Sequence, residues 1–167
     1  MNLSRSLLPE FGHETAGLRR VIERIPADHM DFRPHPKSFS LHDLTNHLVT
    51  VPGWAATTMT ETELDFGLPE TRARQPKPSH TVEGLLRTLD AGVEKALTAL
   101  SNASDDDFQV VWTLKNEGQV ILAVPRIAVY RSFVMNHLIH HRAQVCVYLR
   151  LLDVPVPALY GPSADEG

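Results

Sequence analysis

The chain has 167 residues, 43% of them hydrophobic and 22% charged, which gives enough apolar content for one buried core and excludes bulk disorder. Its net charge is −4 and its basic residues are scattered, so it lacks the electrostatic footprint of a nucleic-acid binder. A lone cysteine, Cys146, cannot close an intrachain disulfide and fits a reducing interior. No window approaches the ~18 apolar residues of a bilayer span. The start, MNLSRSLLPEF, lacks the apolar run of a signal peptide. The expectation is a soluble cytoplasmic protein with neither nucleic acid nor membrane as partner.

The first predicted helix runs from about Ser6 to Arg24. Leu7, Phe11, Leu18, Ile22 and Ile25 form its apolar stripe, and Pro26 stops it. A proline-bearing loop leads to a second helix. Ser40 followed by Asp43 reads as a capping box, so this helix begins near Leu41. Leu41, Leu44, Leu48, Val51 and Ala55 trace its buried face, with His47 beside it, and Pro52-Gly53 predicts a kink.

Thr81 is the expected N-cap of a third helix, whose core face is Val82, Leu85, Leu89, Val93, Ala96 and Leu100. SDDDF, at 104–108, reads as a solvated turn. The β-branched residues on both sides of KNEGQ predict a short hairpin. Pro125 opens a fourth helix that runs to about Leu152, and a proline-punctuated tail should lie over the bundle. With no internal repeat or domain boundary, residues 1–167 read as a single all-α domain, a four-helix bundle. Connections of about fifteen residues or more are longer than simple hairpins need and allow a crossover topology.

On the fourth helix, positions 130, 134, 137, 141, 144, 148 and 151 share one face and read Tyr, Val, His, His, Gln, Tyr, Leu. Two imidazoles one turn apart on a core stripe are costly unless hydrogen-bonded or coordinated. A divalent metal answers that cost. Such a pair also occurs on surfaces or bonded within itself, so a third histidine matters. His47, on the inner side of the second helix, is placed to meet the pair across a bundle, and three histidines with an open position recur in catalytic zinc sites. His140 turns about 100° away and is expected outside the set. His13, His29, His35, His42 and His80 read as loop or surface residues, and Cys146 as a small buried hydrophobe.

Other chemistries are missing their residues. No Asp or Glu lies between Glu117 and Asp153, which removes the Glu-x-x-His pairs of a carboxylate-bridged di-iron bundle. There is no His-Glu-x-x-His motif, no Gly-x-Ser-x-Gly elbow and no Gly-rich phosphate loop.

His47, the stretch HLIHHRAQ, the close VYLRLLDVPVPALYGPSADE and the four-helix pattern together resemble the DinB family. The resemblance spans nearly the whole chain and is strongest from Val134 to Glu166. It implies a bundle of up-down-down-up topology that binds a divalent metal, zinc or nickel foremost, through His47, His137 and His141. It also implies a homodimer. Relatives of this kind include S-transferases that use bacillithiol or mycothiol and a mycothiol-dependent maleylpyruvate isomerase. The expectation is therefore a metal-dependent thiol S-transferase acting on a small electrophile, or a related hydrolase, with no catalytic side chain assigned. Trp54 and Gln144 are expected to line the substrate pocket. The alternatives are a non-catalytic metal-binding stress-response bundle, and a structural bundle whose histidines bond one another or water.

Overall fold

A computed structural model describes residues 3–167; the first two residues, part of the stretch read for a targeting signal, lie outside them. Helix α1 (Leu3–Ile22) buries Leu7, Phe11, Leu18, Val21 and Ile22. It starts ahead of its apolar stripe because distant groups hold its first turn. The Leu3 amide donates to the Asp105 carboxylate (2.7 Å), and the Ser4 hydroxyl donates to the Ala103 carbonyl (2.9 Å). Turn bonds from Arg24 and Ile25 end it before Pro26.

Helix α2 (Leu41–Thr50) begins where the sequence places it, with the Asp43 amide donating to Ser40 Oγ at 3.0 Å. The expected kink is a 3₁₀ turn at Val51–Gly53, after which α3 (Trp54–Thr60) resumes. The turn lies close against α5 (Val82–Asn102), where Gly92 is the residue that must stay small: a Cβ there would sit 3.1 Å from the Gly53 nitrogen. Thr81 caps α5 by accepting from the Gly84 amide, and SDDDF closes into one 3₁₀ turn, Asp107–Gln109.

The predicted hairpin forms from β2 (Val111–Asn116) and β3 (Gln119–Pro125). Its two turn residues, Glu117 (φ 50°) and Gly118 (φ 80°), carry the positive φ angles that match strand twist. The all-α expectation needs correction here, because a third strand joins it. Strand β1 (Glu63–Asp65), in the loop before the short helix α4 (Pro69–Ala73), pairs parallel with β2. Asp65 holds it there by accepting from the amides of Gly67, Glu117 and Gly118 at 2.9, 2.9 and 2.7 Å. The fold is mostly helical with a small three-stranded sheet of order β1-β2-β3.

After β3 comes one turn of helix, α6 (Arg126–Val129), then a π-helical stretch, Tyr130–Asn136, and then α7 (His137–Leu151). Helices α1 and α2 each pack against both α5 and α7. Directions follow from the pairings. Leu3 meets Asp105 and Arg19 meets Asp90, so α1 and α5 are antiparallel. Arg131 meets Glu10 and Arg142 meets Glu14, so α7 runs with α1. Tyr148, late in α7, donates to the carbonyl of Phe39, just before α2, so α2 opposes α7. The four run up, down, down, up. The tail lies over α1, where Glu166 pairs with Arg20 (2.8 Å) and with Arg24. No described helix is long and apolar enough to cross a membrane.

Candidate metal centre

Because α2 and α7 are antiparallel neighbours, the C-terminal half of α2 faces the start of α7. His47 and His137 therefore meet, with their Nε2 atoms 3.2 Å apart. His141, one turn further, brings its Nε2 to 2.7 Å from that of His137. Candidate ligand atoms of the three lie within 4.8 Å of one another, the one such grouping among the described residues. His140 is outside it, with its ring edge-on to His141.

The outer nitrogens decide what the inner ones can do. Nδ1 of His141 faces the Gln144 side-chain oxygen at 2.7 Å, and Nδ1 of His137 faces the Phe133 carbonyl at 3.3 Å. Both partners are acceptors, so the hydrogen-bond network assigns the proton to Nδ1 on each ring. Each Nε2 then presents a lone pair, and the two lone pairs confront each other at 2.7 Å. They cannot bond one another. A cation between them removes the repulsion, and neutral imidazole nitrogens suit a divalent ion. Nitrogens bound at ~2.0–2.1 Å to a tetrahedral zinc stand roughly 3.3 Å apart. The His47–His137 separation matches this, and the His137–His141 pair needs only to open by a few tenths of an ångström.

Burial is the main reason that all three imidazoles are hard to protonate. Burial, then the neighbouring His137 and His141, brings His47 down to about 4 from 6.5. His137 is lowered by burial and then by His141; His141 is lowered by burial, against a raising hydrogen bond from Gln144. The unfolded chain thus takes up protons below about pH 6.5 that the fold refuses. Metal-free protein should keep this stability above pH 6.5 and lose it as pH falls toward 4. Discounting His47 for its half-exposed ring, the loss is on the order of 1–2 kcal/mol. Thermal denaturation of metal-stripped protein across that range should show a steeper fall for wild type than for His47→Gln.

The site opens on a cavity of about 1010 Å³ between α3, α5, the sheet and the π-helical stretch, with His137 in its wall. Trp54 lines it and covers the centre, its ring centroid 5.6 Å from that of His47 and 5.4 Å from that of His137. Gln144 is not in that wall; its side chain holds His141 from the outer side. His47 borders a smaller cavity of about 240 Å³, shared with His42, Asn46 and Lys77.

The other histidines lie elsewhere. His42 departs from the surface reading: its side chain is only 16% exposed because its ring stacks on His80 at 4.0 Å. Cys146 is half-buried against the core, and burial raises its thiol pKa.

The sequence reading missed the Phe133 carbonyl and the sheet's share of the cavity wall, which comes from Leu64, Trp112, Leu114 and Leu122. Only Trp112, an aromatic in a short β-branched run, carried a signal.

The DinB family model matches residues 1–167. Three solved structures share the fold at 18–19% identity. They are DinB-like proteins from Bacillus cereus (18% identity, TM-score 0.69, 92% of this chain and 95% of that one) and Bacillus subtilis (19%, 0.70, 94% and 99%). The third is a protein assigned to the DinB family from Exiguobacterium sibiricum (19%, 0.68, 95% and 97%). No curated protein matches the chain. The family model spans residues 1–167 and the fold likeness covers 92–95% of the chain, and the chain belongs to the DinB family.

Proposed function

We propose that the protein is a metal-dependent enzyme acting on a small molecule, with His47, His137 and His141 as the ligands of one divalent ion, zinc or nickel foremost. The observation that carries this reading is the pair of Nε2 lone pairs facing each other at 2.7 Å beside a large cavity. When bound, such an ion lowers the pKa of a coordinated thiol or water and so supplies a nucleophile at neutral pH.

The chain's own residues do the rest. Gln144 and the Phe133 carbonyl fix the tautomers and aim the rings. Trp54 keeps bulk water off the imidazole faces. The cavity has room for a substrate together with a low-molecular-weight thiol such as bacillithiol or mycothiol. S-transfer to a small electrophile is the leading reaction, and hydrolysis is its relative.

One observation favours a second reading, a non-catalytic metal-binding stress-response bundle. The cavity wall holds no aspartate or glutamate to serve as a general base. A homodimer in the cytoplasm, without nucleic-acid or membrane partners, completes the proposal; light scattering at micromolar concentration should give the mass of two chains.

The deciding experiment is metal analysis of untagged protein purified without chelating resin, followed by a thiol-transfer screen of the same sample. About one ion per chain and metal-dependent turnover are expected. Metal without turnover on thiol or hydrolytic substrates favours the bundle reading, and absence of metal defeats both. Gln144→Ala should weaken metal affinity about 10–100-fold while leaving the fold intact, as loss of a partner that orients a ligand does. Competition with a chromogenic chelator reads this directly.

A further inference from the structure

The cavity beside the histidines has a charge pattern that the chain as a whole does not. Acidic residues outnumber basic ones, 20 to 16, yet the cavity wall contains no carboxylate and carries Arg72, Arg74, Lys77, Arg87 and Lys95. Two of the five are engaged: Arg74 pairs with Glu61 at 2.9 Å, and Arg72 Nε donates to the Phe66 carbonyl at 3.2 Å. Lys77, Arg87 and Lys95 have no carboxylate within ion-pair distance among the described residues.

The face of α5 explains how room and charge come together. Gly84, Arg87, Thr88, Ala91, Gly92 and Lys95 stand at i, i+3, i+4, i+7, i+8 and i+11, one helical face, and all line the cavity. Thr88 and Ala91 are short there, Gly84 and Gly92 admit Ser79 and the Gly53 backbone, and the long cations stand at the border. Opposite them the wall is apolar, with Trp54, Leu114, Leu122 and Phe133. Cations beside a low-dielectric wall attract an anion more strongly than the same charges in open water.

We infer that this cavity selects an amphipathic anion, a small molecule with an apolar body and a carboxylate or phosphate end, whose charge is met by Lys77, Arg87 and Lys95. This names the substrate class for the metalloenzyme proposed above and rests on that reading for its meaning, though its binding test does not. The apolar part packs on Trp54 and the sheet residues, which leaves the charged end at the cationic border.

Both tryptophans of the chain, Trp54 and Trp112, line the cavity, so occupancy reads out in their emission. Wild-type protein is titrated with octanoate, octyl phosphate and neutral octanol, and the same is done for Lys77→Gln/Arg87→Gln/Lys95→Gln. One or both anions should bind wild type about tenfold or more tightly than octanol, the margin of a charge-assisted hydrogen bond. The tighter anion separates a carboxylate ligand from a phosphate one. The triple variant should lose that margin and keep its octanol affinity.

Octanol binding as tightly as both anions, or a variant that keeps the preference, overturns the inference. Should the variant fail to fold, salt decides: added sodium chloride should weaken the anions and spare octanol in wild type, and equal sensitivity again overturns it. Metal content is measured on the same samples. Normal metal loading without anion preference rejects this inference alone, whereas anion preference without metal rejects the metalloenzyme reading alone.

Discussion

His141→Ala is expected to bring metal content from about one ion per chain to near zero, while His140→Ala leaves it unchanged. The neighbours differ in direction, not chemistry. His141 is 9% exposed with Nε2 aimed at His137, whereas His140 is exposed and its ring only abuts that of His141. A ligand at a hundred times its dissociation constant stabilises the fold by about 2.7 kcal/mol, and for a domain of this size that is roughly 5–10 °C in Tm. Wild type and His140→Ala should show this metal-dependent rise, and His141→Ala should not.

The metal-free proteins give the sharper contrast. Removing His141 from the empty site also removes one of two opposed lone pairs, so it should cost under about 1 kcal/mol despite the residue's burial. If the histidines instead held the bundle together by bonding one another, the substitution would destabilise metal-free protein by more than that. Added metal would then change nothing. Calorimetry of both variants with and without zinc separates the two cases.

How far this was legible beforehand differs by element. Helices α1, α2, α5 and α7 announced themselves through apolar residues in steps of three and four, and Ser40 and Thr81 fixed two starts because capping is local chemistry. The three histidines were legible for a related reason: imidazole on a core stripe is an expense that needs an explanation. Strand β1 was not. Three residues, Glu63–Asp65, carry no periodicity, and what makes them a strand is a carboxylate gripping a turn more than fifty residues away. The π-helical stretch left no trace either, since Tyr130–Asn136 reads as ordinary helix and the change of register arises from packing. The cationic border was hidden in plain composition. Its residues look scattered along the chain until α4, the following loop and α5 gather them.

Arg142→Ala is expected to be the most damaging single substitution to the fold, at about 3–5 kcal/mol, the usual cost of breaking a buried ion pair from one side. Arg142 and Glu14 side chains are 2% and 7% exposed and meet at 2.6 Å. The guanidinium also donates to the Glu14 carbonyl at 2.9 Å and to the Tyr160 hydroxyl at 2.5 Å, and Tyr160 donates on to the Glu14 carboxylate at 2.8 Å. One side chain thus ties α7 to α1 and fastens the tail over both. Truncation strands a carboxylate in the interior, and that stranded charge is the larger part of the loss. The pair Arg142→Met with Glu14→Gln should therefore recover much of the stability that Arg142→Ala forfeits. Arg142 meets α1, whereas His137 and His141 face His47 of α2, so chemical denaturation should show the same loss in metal-free and metal-loaded protein. A loss below about 1 kcal/mol, or a double variant worse than the single one, would mean that the cluster is solvated and does not lock α7 in place.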